Sequence, residues 1–156
     1  MSGQYAAIAG GQFNEASAEN AVISGGLNNI SSAEGAAVTG GGDNRAIGLY
    51  SAIGGGGGSD HADGNDATGD YTFVGGGKQN LASGFGSVVA GGTTNTASNI
   101  LATVSGGSQN SATANKSTVS GGGENMASGQ YSVAAGGVND TASGYYSFAA
   151  GGCNNV

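Results

Sequence analysis

The chain of 156 residues contains no proline and no tryptophan, one cysteine and one histidine. With Cys153 alone, no intrachain disulfide can form, and the redox compartment cannot be read from thiols. With His61 alone, a nucleophile and base pairing finds no support, because that imidazole sits in a glycine-rich stretch far along the chain from Cys153. Charge is scarce as well. Only 8% of residues are charged, and three Lys plus Arg against ten Asp plus Glu give a net charge of −7. Such a surface repels phosphates, which excludes nucleic acid as the expected partner. No stretch approaches the ~18 consecutive apolar residues of a membrane span. Met1 to Gly11 lacks the basic start and apolar run of a secretory signal. The expectation is no direct membrane insertion and no export tag of the chain's own.

Glycine is what the sequence has in excess, 35 residues of it. Composition alone resembles a flexible low-complexity tract. Periodicity overrides that reading. Glycine does not recur at every third position, so collagen is excluded. Instead a Gly-Gly pair begins at Gly10, Gly25, Gly40 and Gly55, then at Gly76, Gly91, Gly106, Gly121, Gly136 and Gly151. Eight of these nine spacings are 15 residues and one is 21. A regular short unit of this kind predicts a solenoid in one domain covering 1–156.

Four residues after each pair's first glycine, and ten after Gly55, comes the position we take as slot one: Asn14, Asn29, Asn44, Asn65, Asn80, Asn95, Asn110, Asn125, Asp140 and Asn155. The unit reads N-x-A-S-G-x-Y-S-x-V-x-G-G-x-x. Slot three is Ala in eight of nine occurrences, with Ser31 the exception, and slot eight is always Ala, Ser or Thr. Slot ten runs from Ile8 and Ile23 through Val104 and Val119 to Ala134 and Ala149. Alternation over slots eight, ten and twelve predicts one strand, and slots three and five predict a second. The glycine pair and the Asn are expected at turns, where left-handed backbone favours these residue types. Stacked Asn side chains are expected to hydrogen-bond along a ladder. The predicted fold is all-β, a parallel β-roll or β-solenoid of about ten coils with two short strands each, roughly 48 Å long at ~4.8 Å per coil. Its core is thin. Slot nine, with Val22, Phe73, Val88, Val133 and Phe148, points away from that core and is the expected self-association face.

The run Ala-Ser-Gly-x-Tyr-Ser-x-Val-x-Gly-Gly, clearest from Ala127 to Gly137 and from Ala142 to Gly152, where Ala134 and Ala149 stand in place of Val, resembles the head repeats of trimeric autotransporter adhesins. The resemblance covers essentially the whole chain and extends to similar repeats in bacteriophage tail fibres. It implies a left-handed parallel β-roll, a homotrimer, and a surface that binds host cells, matrix proteins, glycans or other receptors. It also implies an extracellular or cell-surface location within a longer fibre, or a virion tail fibre. The doubled glycine and the Ile or Val at slot ten depart from the commoner unit of that family. Ser2 enters at slot four and Val156 leaves at slot two, which fits a section of a longer fibre.

Three features are candidates for function. Between Gly55 and Asn65 the insertion lengthens the turn and predicts a protruding loop at 57–64, with Asp60, His61 and Asp63 as possible receptor or cation contacts. A plain solvated loop is the commoner outcome for such a string. Tyr131, Tyr145 and Tyr146 fall in slots six and seven, so rings of adjacent coils form either an aromatic platform for a ligand or a packing ladder. Thr103 with Ser105 and Thr118 with Ser120 repeat a hydroxyl pattern over two coils, a short basis for ice binding. No enzyme activity, cofactor or metal is expected. The function expected is a structural or adhesive fibre segment acting by multivalent contact. The alternatives are a bacteriophage tail-fibre or spike shaft, a self-assembling extracellular filament subunit, and an ice-binding solenoid.

Overall fold

Each repeat closes into one flattened coil because two short extended pieces alternate with tight turns. The computed structural model describes residues 2–60 and 62–156. Slots nine and ten form a ten-stranded parallel sheet from Ala7–Ile8 to Phe148–Ala149. Slots two and three form a nine-stranded sheet from Glu15–Ala16 to Thr141–Ala142. Every strand pairs with the one a repeat away, slot for slot, as Val104 does with Val119 and Ala97 with Ala112. The longer spacing does not disturb this register, since Ile53 still pairs with Val74 and Ala46 with Ala67. The molecule is an all-β parallel solenoid whose expected ten coils are nine complete ones with partial coils at either side. Among the described residues there is no helix.

Between the sheets, slot ten meets slot three. Ile23, Val38, Ile53, Val74, Val89 and Val104 are fully buried against a column of Ala side chains. A β-branched residue on one side and a single methyl group on the other fill the narrow interior, and each buried Val or Ile contributes roughly 1.5–3 kcal/mol. Three details differ from the repeat pattern's reading. The second strand occupies slots two and three, because slots five to eight close a turn in which the slot-eight amide donates to the slot-five carbonyl, as Ser87 does to Gly84 at 3.0 Å. A third ladder of single bridges joins slot fourteen along the rod, for example Thr93 with Ser108. The left-handed backbone lies not at the Asn but at the residue before it, such as Gln109 with φ 58°, and at slot seven, such as Tyr131 with φ 59°.

Freed from the turn, the Asn side chains face inward. The Asn110 amide nitrogen of the main chain donates to Oδ1 of Asn95 at 2.9 Å, while its Nδ2 donates to the carbonyls of Gly106 and Gly122, both at 2.9 Å. One residue thereby ties its own coil to the coil before it through its main-chain amide and to the coil after it through its side chain. The same pattern joins Asn14 to Asn29, Asn29 to Asn44, Asn44 to Asn65 and Asn65 to Asn80. An amide is suited to this because it carries an acceptor oxygen and two donor hydrogens. The second glycine of each pair is equally constrained. At Gly107, with φ +89°, a Cβ would stand 2.2 Å from the Gly122 carbonyl oxygen.

Candidate functional site

The flattened coil has two broad sheet faces and two turn edges. Slots twelve to fifteen make one edge, which carries the insertion. Gly57 remains part of the coil, bridging Gly42 and donating its amide to the Gly77 carbonyl at 2.7 Å. The chain departs at Gly58 and is back by Asp63, whose carbonyl accepts from the Gln79 amide at 3.2 Å. The excursion is pinned there. Lys78 Nζ lies 2.8 Å from Asp63 Oδ1, and the Asp63 amide donates to the Asp60 carbonyl at 2.8 Å. Asp60 and Ala62 are exposed, and His61 lies outside the described residues.

The aspartates that cluster in sequence are separated by their partners. Asp63 faces Lys78, Asp66 lies 3.6 Å from Arg45, and Asp70 Oδ1 accepts from the Leu49 amide at 3.0 Å. Burial pushes the Asp66 carboxyl up from its usual range and outweighs the opposing pull of Arg45. Among the described residues no group of three or more His, Cys, Asp or Glu side chains gathers around a point that could hold a metal ion. Beside the loop, a cleft of about 420 Å³ is lined by Phe13, Leu27, Asn28, Asp43 and Ser59. Asp43 is buried there and accepts from the Asn28 side-chain amide. The exposed Phe13 ring and this carboxylate–amide pair come from successive coils at the same slot, a juxtaposition that the repeat spacing predicts but that the residue types, Phe, Asn and Asp, disguise.

Slots five to seven make the opposite edge. Tyr131 and Tyr146 stack with centroids 4.8 Å apart and planes inclined by 14°. Tyr145 packs edge-on against Tyr146 at 4.4 Å, and the Tyr145 hydroxyl is held above its ordinary range by its hydrogen bond to Tyr146. The Lys116 ammonium lies 5.2 Å from the Tyr131 ring centroid. Stacking along the rod therefore turns ring faces toward neighbouring coils and ring edges toward solvent. A second aromatic group occupies the same two slots nearer the middle of the rod. Tyr50 stacks on Tyr71 at 5.5 Å, Tyr71 meets Phe85 edge-on at 5.3 Å, and the Tyr50 hydroxyl donates to Glu34 Oε1 at 2.5 Å. Tyr50 and Tyr71 occupy slot seven of successive coils although 21 residues separate them in the chain. Gly35 makes room for the Tyr50 ring, because a Cβ there would stand 2.5 Å from Tyr50 Cδ1.

On the broad face of the ten-stranded sheet, the slot-nine side chains Val22, Phe73 and Phe148 are exposed while their slot-ten neighbours face the interior. The Asn ladder is internal, so Asn29, Asn44, Asn65, Asn80, Asn95 and their equivalents serve the rod rather than its surface. No protein-family model matches the chain, and no curated protein matches it as a relative.

Proposed function

We propose that the chain is a non-enzymatic segment of an adhesive fibre, in which a stiff rod presents the same contact positions repeatedly to a host cell, a matrix protein or a glycan. The observation that carries this reading is the column of exposed side chains in register along the rod, Val22, Phe73 and Phe148 on one face and Tyr50, Tyr71 and Tyr146 on one edge. Three chains packed through the slot-nine face would bury those apolar side chains and present three copies of each edge. Multivalent contact then raises avidity without any single tight site. Receptor contacts fall to Asp60 and Asp63 with the neighbouring Phe13 cleft, and to Tyr131, Tyr145 and Tyr146. An aromatic ring beside a carboxylate and an amide suits a neutral polyhydroxylated ligand, and the net charge of −7 disfavours an anionic one. Such a segment works at a cell surface or outside the cell.

Surface binding tests this reading. Purified protein is passed over immobilised matrix proteins and neutral glycans presented at low and at high density. Retention that rises steeply with ligand density, and that falls when residues 58–62 are deleted, is the expected outcome. Absence of retention on every surface, or retention indifferent to density, contradicts it.

A further inference from the structure

The edge formed by slots six and seven has a chemistry that changes in order along the rod. Its middle is a largely apolar ridge in which Leu49, Tyr50, Tyr71, Phe85, Ile100 and Leu101 each keep 42–54% of their surface exposed, interrupted by the half-buried Asp70, whose carboxylate accepts from the Leu49 amide at 3.0 Å. Nearer the N-terminus the ridge carries the exposed carboxylates Glu19 and Glu34, and nearer the C-terminus the exposed cation Lys116. Arg45 and Lys78 have carboxylate partners within their own chain. Among the described residues Lys116 has none, and its ammonium rests over the Tyr131 ring instead. A row of exposed apolar side chains of this length, with unlike charges toward its two ends, marks an interaction surface.

Slot seven defines ten levels, from Tyr5 to Tyr146, with the midpoint between Tyr71 and Gly86. Glu34 and Lys116 stand on the third and eighth levels, equidistant from that midpoint. We propose that this edge pairs with the same edge of a second copy of the chain, running antiparallel about a two-fold axis at the midpoint. Each Lys116 then meets the other copy's Glu34. Leu49 and Tyr50 meet Ile100 and Leu101, Tyr71 meets Phe85, and Tyr5 meets Tyr145 and Tyr146. The parallel alternative in register sets Glu19, Glu34 and Lys116 each against its own copy, which like-charge repulsion disfavours. A two-fold contact of this kind is self-complementary and closes on itself. Ten levels at ~4.8 Å and a width of about 10 Å give roughly 500 Å² per copy, near the lower bound for a specific contact, so pairing depends on concentration. The contact uses the edge, not the slot-nine face, so it joins separate rods and stands independently of trimer formation.

Light scattering over a concentration series reads the contact as a rise in mass above the dilute value, whatever that dilute value is. Lys116→Glu and Glu34→Lys are each expected to weaken the association at least tenfold, and the double exchange to restore it. A Glu34→Cys, Lys116→Cys chain carrying Cys153→Ser is expected to form intermolecular disulfides under mild oxidation. Within one chain those positions are five coils apart, about 24 Å, which is too far to bridge. Single exchanges that leave the association unchanged overturn the proposal. So does a Lys116→Cys, Cys153→Ser chain that cross-links to itself as readily as the double-cysteine chain cross-links, since that is the parallel arrangement.

Discussion

Asp140 is the one member of the buried slot-one column that is not an asparagine, and replacing it with asparagine should stabilise the protein. Its Oδ1 behaves as an asparagine oxygen does, accepting from the Asn155 amide at 2.8 Å and from Asn155 Nδ2 at 2.9 Å. Its Oδ2 occupies the position where Asn125 places Nδ2. A Cβ on Gly137 would stand 2.3 Å from Asp140 Oδ2, as one on Gly122 would stand 2.6 Å from Asn125 Nδ2. Asn125 Nδ2 donates to the carbonyls of Gly121 at 2.8 Å and Gly137 at 2.9 Å. Asp140 Oδ2 is buried and has no hydrogen-bond partner among the described residues. Asp140→Asn restores two donors at that point, each contributing about 0.5–1.5 kcal/mol net, for a gain of about 1–3 kcal/mol. For a chain of this length that corresponds to a rise of roughly 2–12 °C in the unfolding midpoint. Thermal unfolding at neutral pH followed by circular dichroism measures it. Asn110→Asp, which removes the same two donors in the middle of the rod, should lower the midpoint by at least as much. An Asp140→Asn protein no more stable than the parent would refute the reasoning, because it would show that the inward amide is not what holds successive coils together.

Gly107→Ala should be severely destabilising, by more than about 3 kcal/mol, since it combines left-handed backbone with a Cβ placed 2.2 Å from a carbonyl oxygen, and denaturant unfolding reads the loss. The Tyr50 hydroxyl titrates above the ordinary tyrosine range, chiefly because of its hydrogen bond to Glu34 and then because of that carboxylate's charge. A raised value means the contact is fully present below the ordinary tyrosine range and is lost as pH climbs through the raised one. Spectrophotometric titration of Glu34→Gln should therefore show one tyrosine ionising at lower pH, and the difference should vanish in a Tyr50→Phe background. Lys78→Ala should leave the midpoint of unfolding nearly unchanged, because an ion pair near the surface contributes at most ~1 kcal/mol, yet it should speed proteolytic cleavage within residues 58–62 by releasing Asp63.

Much of the architecture was legible because the repeat places one residue type in one environment again and again. Slot ten could be read as core from its Ile and Val, and slot three from its Ala, since a thin interior admits nothing larger opposite a β-branched side chain. The spacing of the glycine pairs set the coil length, and register followed from it. What the residues concealed was backbone conformation. Asn is a common left-handed residue, so its recurrence pointed to a turn, whereas its side chain is used inside and the left-handed position is taken by Gln109, Glu124 or Thr94 beside it. Those residues carry no local signature. Tyr50, Tyr71 and Tyr146 adopt the same conformation at slot seven, with φ 53–58°, where stacking on the adjacent coil offsets a cost that glycine at Gly35 avoids. The loop was legible as an insertion, and the 15-residue spacing of Asp63 and Lys78, one full repeat, marks them as neighbours on adjacent coils, although nothing in that spacing says that their side chains pair. Asp140 could have been flagged from sequence as the single break in the Asn column. Its meaning depends on knowing that both amide hydrogens of the other members are engaged.

The assembly of the rod is tested most directly by its solution mass. Light scattering on the purified protein, carried through serial dilution, should give a dilute-limit mass three times the chain's 14.6 kDa, with the β signal retained throughout. A dilute-limit mass of a single chain with that β signal intact would contradict the trimeric fibre.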